Sequence, residues 1–265
     1  MSTDPIFLIA ENEFSRILRN PLVIVVSIVM FLLMVINAAG CSVLLPDLIG
    51  HGFETAFLVG IGNVFYVTSL FFTFLSMCLG IVSLANDRAT RSLGLLLSKP
   101  VYRRDVLIGK FAGINTVLLV LIAFVFLINV SSLIIAYRGP EDMMDTFLRL
   151  ISYFFSLSMN CALTVSIVFF IGIIFKNLAD ILIISVSYLY LGWFAGIQFI
   201  KDISLINPMG IYNSIIFGGG SLYLLDETVS YSLWLNNALP FLLIIVIETT
   251  GLFLINCMLF NKEDT

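Results

Sequence analysis

Charged residues are scarce in this chain of 265 residues, at 11% of the sequence, against about a quarter in soluble globular domains. Hydrophobic residues make up 60%, and the mean hydropathy is +1.10. The single histidine, His51, excludes a haem-carrying span, a zinc protease of the HExxH type and a proton relay through histidines. The composition therefore indicates an integral membrane protein without histidine-based catalysis.

Cysteine is also rare. The chain has four cysteines, all in or beside apolar runs, and no two have the CxxC spacing typical of metal and redox sites. Paired intramembrane aspartates are absent from the sequence, and the net charge of -4 argues against a nucleic-acid partner. The sequence predicts no catalytic residue, no metal site and no nucleic acid. We interpret the cysteines as small buried hydrophobic residues, namely Cys41, Cys78, Cys161 and Cys257.

Long runs without charge are the main feature that is present. The runs Thr55 to Asn86 and Phe111 to Tyr137 each exceed the roughly 20 residues that cross a bilayer core. A transmembrane helix satisfies all its backbone hydrogen bonds internally, which lipid requires. We predict an all-α integral membrane fold with a single transmembrane domain over 1–265. Its six transmembrane helices are expected at about 21–45, 57–85, 108–136, 149–175, 181–200 and 239–260.

Positive charge is concentrated on one side of these spans. The loop between the second and third spans, Asn86 to Lys110, holds six of the thirteen Lys and Arg residues. If both termini lie on the same side as this loop, only Arg138, Arg149 and Lys201 fall on the other side. The positive-inside rule then predicts a multi-pass protein of the cell membrane with both termini cytoplasmic.

The residues before the first span have helical periodicity. Apolar side chains recur at Ile6, Ala10, Phe14 and Ile17, and charged or polar residues take much of the remaining surface. This pattern predicts an N-terminal interfacial helix on the inner membrane surface, with a leader that contacts only lipid as the alternative. The residues of interest in this helix are Glu13, Phe14, Ile17 and Arg19.

The segment Ile203 to Leu225 is apolar, but Asn207-Pro208 and Gly218 to Gly220 interrupt it. Proline and consecutive glycines do not continue one helix. We predict an outer re-entrant hairpin before the sixth span, packed against the other spans because irregular backbone needs protein or water around it.

The basic inner loop contains its own helical pattern. We predict a helix over about 87–98, begun by Asp87, with Leu93 and Leu96 on an apolar face. Ser98-Lys99-Pro100 ends it, because proline disfavours the helical conformation before it. Periodicity alone leaves two roles open: docking in a groove of a cytoplasmic partner, or attachment to anionic lipid.

The loop sequence Asp87-Arg88, Arg91 to Leu93, Leu95 to Val101, Arg103 and Leu107 to Lys110 resembles "E-R-x-x-G-T-L-x-L-L-L-S-K-P-V-x-R-x-x-x-L-x-G-K". That pattern follows the second span in permeases of the second class of ABC exporters, which include drug, sodium and nitrous-oxide-reductase-maturation systems. Glu13-Phe14 with Leu18 to Pro21 is similar to the family's entry motif. This chain has Asp87, Arg91 and Ser92 where glutamate, glycine and threonine are usual.

The resemblance implies a permease that is not an enzyme. It implies a coupling helix that docks a separate ATP-binding subunit, a second permease copy or homologue in a dimer, and ATP with Mg²⁺ bound only by the partner. No GxxxxGK[ST] motif occurs, since Gly109-Lys110 is followed by Phe111. The coupling residues so implied are Asp87, Arg88, Arg91, Ser92, Leu93, Leu96, Leu97, Lys99, Pro100 and Arg103.

Glu248 lies about halfway along the last apolar run. An ionised carboxylate at the bilayer centre costs about 2.5 to 3.5 kcal/mol on insertion scales, so we expect it to face protein or water. Glu248 either contacts a cation or proton in a transport pathway or is a protonated or hydrogen-bonded glutamate that joins helices. The isolated charge favours the structural role, for which the possible partners are Thr249, Thr250, Asn256 and Asn160.

Three other functions compete with an ABC permease. An ion-coupled carrier or channel would normally show several intramembrane charges, and only Glu248 is present. An intramembrane enzyme lacks its motifs here. A membrane anchor of a larger assembly, without ATPase coupling, is compatible with the motifs.

Overall fold

The computed structural model describes residues 5–49, 57–89, 103–137, 139–175, 177–194, 207–220 and 222–262. These residues are mostly helical, with no strand among them. The helices are α1 (Pro5–Leu18), α2 (Pro21–Ile49), α3 (Phe57–Asn63), α4 (Phe65–Ala89), α5 (Arg103–Ala136), α6 (Met143–Ile174), α7 (Leu178–Phe194), α8 (Pro208–Ile216) and α9 (Tyr231–Lys262).

Five of the described helices are long and apolar enough to cross a membrane: α2, α4, α5, α6 and α9. This agrees with the predicted all-α integral membrane fold. The predicted span 181–200 corresponds to α7, whose apolar part Leu178–Leu189 is shorter, and 195–200 lie outside the described residues. A sixth span therefore stays a prediction.

The predicted span 57–85 is not one continuous helix, because α3 ends at Asn63 and α4 begins at Phe65. In an uninterrupted helix the carbonyl of Gly60 would accept from the backbone N–H of Val64. Here the Asn37 side chain of α2 donates to that carbonyl at 2.8 Å, and the Val64 N–H turns to the Ile61 carbonyl at 3.4 Å. A side chain that takes a backbone acceptor is a recognised cause of a helix break.

The last helix begins at Tyr231 rather than at the predicted 239. Trp234 is fully buried there, and its indole N–H donates to the carbonyls of Ile215 at 3.0 Å and Ile216 at 3.3 Å, at the end of α8. Asn236 and Asn237 are exposed on the other side of this first part of α9. The beginning of the helix is therefore amphipathic, and a search for apolar runs does not detect it.

Helices α5 and α6 also begin before the predicted 108 and 149, at Arg103 and Met143. Asp142 caps α6, accepting from the backbone N–H of Met144 at 2.9 Å and of Asp145 at 3.2 Å. Each of the two helices contains a buried, ion-paired cation, Lys110 in α5 and Arg149 in α6. A charged residue therefore does not mark the end of these helices.

The central helix of the bundle is α6, which packs against α4, α5, α7, α8 and α9.

The predicted outer hairpin contains one short helix, α8, followed by a glycine turn and a non-helical return; 203–206 and Ser221 lie outside the described residues. Gly218 and Gly219 have φ of 51° and 73°, a conformation that disfavours other residues. The buried Arg149 of α6 donates to the carbonyls of Leu224 at 2.7 Å, Asp226 at 3.0 Å and Val229 at 2.5 Å. The non-helical return of the hairpin is thus attached to the central helix by these hydrogen bonds.

Candidate functional site

Helix α1 packs closely against the beginning of α5, where glycines make room for it. A Cβ on Gly109 would lie 2.8 Å from Cβ of Ile9, and one on Gly113 would lie 2.8 Å from the carbonyl oxygen of Ala10 and from Cβ of Glu13. Small residues at this spacing let two helix backbones approach. The GxxxG spacing at Gly109 is therefore a helix-packing site.

A buried ion pair lies beside this contact. The Glu13 side chain is 4% exposed and that of Lys110 is 5% exposed, and Lys110 Nζ donates to Glu13 Oε1. Ser83 Oγ of α4 donates to the same Oε1 at 3.1 Å, and Lys110 Nζ donates to the Ser83 carbonyl at 3.2 Å. Arg16 Nη2 lies 2.6 Å from the other carboxylate oxygen, Oε2. We name Glu13, Arg16, Ser83 and Lys110 the junction cluster.

The junction cluster connects three helices at one end of the bundle. Ser83 lies about two turns before the end of α4, and Lys110 lies about two turns after the beginning of α5. These are the two helices from which segment 90–102 leaves and to which it returns. A displacement of this segment would therefore act on α4, α5 and α1 at the same place.

The other residues of interest predicted for the N-terminal helix differ in how far they are buried. Ile17 is buried and Phe14 packs against the core, whereas Arg19 is exposed. The alternative of a leader that contacts only lipid is wrong, because α1 packs along α5. Whether α1 lies on the inner membrane surface stays a prediction.

The predicted coupling helix over 87–98 falls largely outside the described residues. Helix α4 continues without interruption through Asp87 and Arg88 to Ala89, so Asp87 does not begin a separate helix. Arg103 is the first residue of α5. The roles of all the coupling residues stay predictions, and those outside the described residues are Arg91, Ser92, Leu93, Leu96, Leu97, Lys99 and Pro100.

Glu248 is half-buried in α9 and lines a groove between α6, α7 and α9. Its four possible partners donate their hydrogen bonds to other residues. Thr249 and Thr250 donate to Ile245 and Val246 in their own helix, Asn256 donates to the Ser166 carbonyl, and Asn160 donates to Thr73 Oγ1. None of these four residues donates its hydrogen bond to Glu248, and the role of Glu248 stays a prediction.

A buried polar contact between α4, α6 and α8 was missed by sequence reasoning. Asn160 Nδ2 donates to Thr73 Oγ1 at 2.8 Å, and the hydroxyls of Ser69 and Tyr212 lie 2.8 Å apart. Burial raises the pKa of the Tyr212 hydroxyl well above its ordinary value, so it keeps its proton. The serine and threonine spacing along α4 was visible in the sequence, but its partners become clear only from the packing.

The sequence model of the family described as ABC-2 family transporter protein matches residues 7–265, nearly the whole chain. No curated protein matches the chain at a significant level.

Proposed function

Since the chain belongs to the ABC-2 family of transporters and is a multi-pass membrane permease, we propose that it is the transmembrane subunit of an ABC exporter. Hydrolysis of ATP on a separate subunit drives it, and the chain itself binds neither ATP nor Mg²⁺. Two permease subunits, two copies or this chain with a homologue, form the translocation path. They lie in the cell membrane with both termini cytoplasmic.

The junction cluster is the observation that supports coupling. It lies at the base of segment 90–102, which contains most of the residues that resemble the family's coupling helix. Removing one member of a buried ion pair typically costs about 3–5 kcal/mol, because it leaves an uncompensated charge, so separating Glu13 from Lys110 inside the protein is unfavourable. The ion pair connects α1 with α5, and the Ser83 hydroxyl adds α4 to the contact. A push on the segment by an ATP-binding subunit therefore moves three helices as one unit.

The surroundings of Lys110 also support the proposal that ATP binds to a separate subunit. In a phosphate-binding loop the lysine after glycine reaches the nucleotide phosphates. Here Lys110 is buried and paired with Glu13, and Gly109 is covered by α1. These two residues act in helix packing, which is consistent with a permease that receives its energy from a partner.

The proposal is tested on the tagged full chain purified from the membranes of its own cells. We expect an ATP-binding subunit and ATP hydrolysis to co-purify with it. Replacing Leu93 and Leu96 by aspartate places unpaired charges in the proposed docking groove, at a cost of several kcal/mol. The double variant should stay in the membrane but lose the ATP-binding subunit and the hydrolysis, whereas Leu233→Asp, an exposed leucine at the far end of α9, should retain both.

The same experiment separates the competing functions. An ion-coupled carrier or a membrane anchor would carry no ATP hydrolysis that depends on Leu93 and Leu96. Unchanged hydrolysis in the double variant would instead favour attachment of the 87–98 segment to anionic lipid.

A further inference from the structure

The groove between α6, α7 and α9 is lined mainly by apolar side chains. It has a volume of about 560 Å³, within the usual range for small-molecule sites. Ile167 and Phe170 of α6, Ile184 and Tyr188 of α7 and Leu252 of α9 are among its lining residues. Glu248 supplies the carboxylate on this lining, near the middle of the longest apolar part of α9.

This carboxylate differs from that of Glu13, which is compensated by Lys110 and Arg16. Among the described residues, no Lys or Arg forms an ion pair with Glu248, and the neighbour with which it interacts electrostatically is the hydroxyl of Tyr188. An acid within a span is expensive and ordinarily marks a functional site. The groove therefore has one carboxyl group without a cationic partner among the described residues.

We propose that this groove is a binding site for an apolar organic cation, a substrate of the permease. The cation places its charge against Glu248 and its apolar groups against the aliphatic side chains. Phe170 and Tyr188 add aromatic rings to the lining, and ring faces attract cations. This inference rests on the proposed function, since it names the class of substrate that the permease transports.

A bare metal ion does not fit the groove. Calcium takes six to eight oxygen ligands, and magnesium needs near-octahedral coordination. No group of three or more His, Cys, Asp and Glu residues that could hold a metal ion occurs within the described ranges. One carboxylate among aliphatic and aromatic side chains suits a cation that carries its own apolar surface.

A second groove on α9 offers an internal control. It has about 470 Å³ between α5, α6 and α9, and Phe111, Leu118 and Thr250 are among its lining residues, but no charged side chain lines it. The two grooves have similar size and apolarity, so a difference in cation binding between them would report the effect of Glu248.

The test measures binding of radiolabelled tetraphenylphosphonium to the full chain in phosphatidylcholine nanodiscs. We expect Glu248→Gln to weaken binding at least tenfold, while neutral triphenylphosphine oxide binds both proteins alike. Leu252→Trp, which fills the groove and keeps the charge, should also block the cation. Thr250→Val in the second groove should leave binding unchanged.

Equal affinity of the wild type and Glu248→Gln for the cation would overturn the proposal. A dimer that dissociates in Glu248→Gln, with cation binding unchanged, would show that a second copy occupies the groove and would overturn it as well. The proposed function is judged separately, because Glu248→Gln should keep the ATP-binding subunit and basal ATP hydrolysis. Loss of the cation site with those retained supports both inferences.

Discussion

Changing Glu13 alone and changing Lys110 alone should lower the free energy of unfolding by different amounts. In Glu13→Gln, the Lys110 ammonium loses the carboxylate and keeps the carbonyl and hydroxyl oxygens of Ser83, each at 3.2 Å, as its hydrogen-bond acceptors in the cluster. A buried charge that loses its counter-charge costs about 3–5 kcal/mol. We expect a loss of this size in the free energy of unfolding.

In Lys110→Met the loss should be smaller. Glu13 keeps Arg16 at 2.6 Å and the Ser83 hydroxyl at 3.1 Å, so its charge is still compensated. The Arg16 side chain is 33% exposed, which weakens its ion pair. Loss of one hydrogen bond to a charged group costs about 1.5–3 kcal/mol, and we expect Lys110→Met to fall in that range.

The assay is reversible unfolding of the full chain in mixed micelles with increasing denaturing detergent, with a double-mutant cycle. The double variant Glu13→Gln, Lys110→Met removes both charges and should lose about 2 kcal/mol less than the sum of the single variants. Glu11→Gln is the matched control, since Glu11 is on the same helix but exposed. Single losses no larger than that of Glu11→Gln, with an additive double variant, would refute a buried junction cluster.

Further predictions concern the packing of α1, the outer hairpin and the topology. Gly113→Ala should lower the free energy of unfolding by about 1–3 kcal/mol, because its Cβ would be too close to Ala10 and Glu13. Gly40→Ala is the control: nothing lies within 4 Å of its Cβ, so it should not lower the free energy of unfolding in the same assay. Arg149→Ala should lower the free energy of unfolding by about 3 kcal/mol, because three backbone carbonyls lose a charged hydrogen-bond donor. It should also speed amide hydrogen exchange over 222–230, and unchanged exchange there would contradict this role of Arg149. A tag at Thr265 should be cytoplasmic and one at Asp226 external in a protease-protection assay, and an internal tag at Asp226 would contradict six spans.

The predicted all-α membrane fold agrees with five long apolar helices in the structure, because length and apolarity are local properties of the sequence, whereas the sixth span stays a prediction. The sequence could not predict the break before Phe65, which depends on a hydrogen bond from Asn37 on another helix. It placed the beginning of α9 too late, because the buried Trp234 rather than an apolar run extends that helix. The predicted helix boundaries differ from the observed ones where a contact with another helix outweighed the local pattern of apolar residues.

Only part of the junction cluster could be predicted from the sequence. The charges of Glu13 and Lys110 and the glycines beside Lys110 were apparent, but their pairing depends on how α1 lies along α5. Glu248 lies near the middle of its helix, as predicted, and its four possible partners donate their hydrogen bonds to other residues. Helical spacing gives neighbours along one helix, whereas the facing helices decide which of them a side chain can contact.

Contact between segment 87–98 and an ATP-binding subunit is tested most directly by cross-linking in native membranes. A photoreactive group is attached to Ser92→Cys, and the exposed Ser230→Cys is the control on the predicted outer side. We expect a cross-link from Ser92→Cys to a chain that is itself labelled by an ATP photoprobe, and none from Ser230→Cys. Cross-links from Ser92→Cys to lipid alone, in membranes where the permease is active, would contradict this expectation.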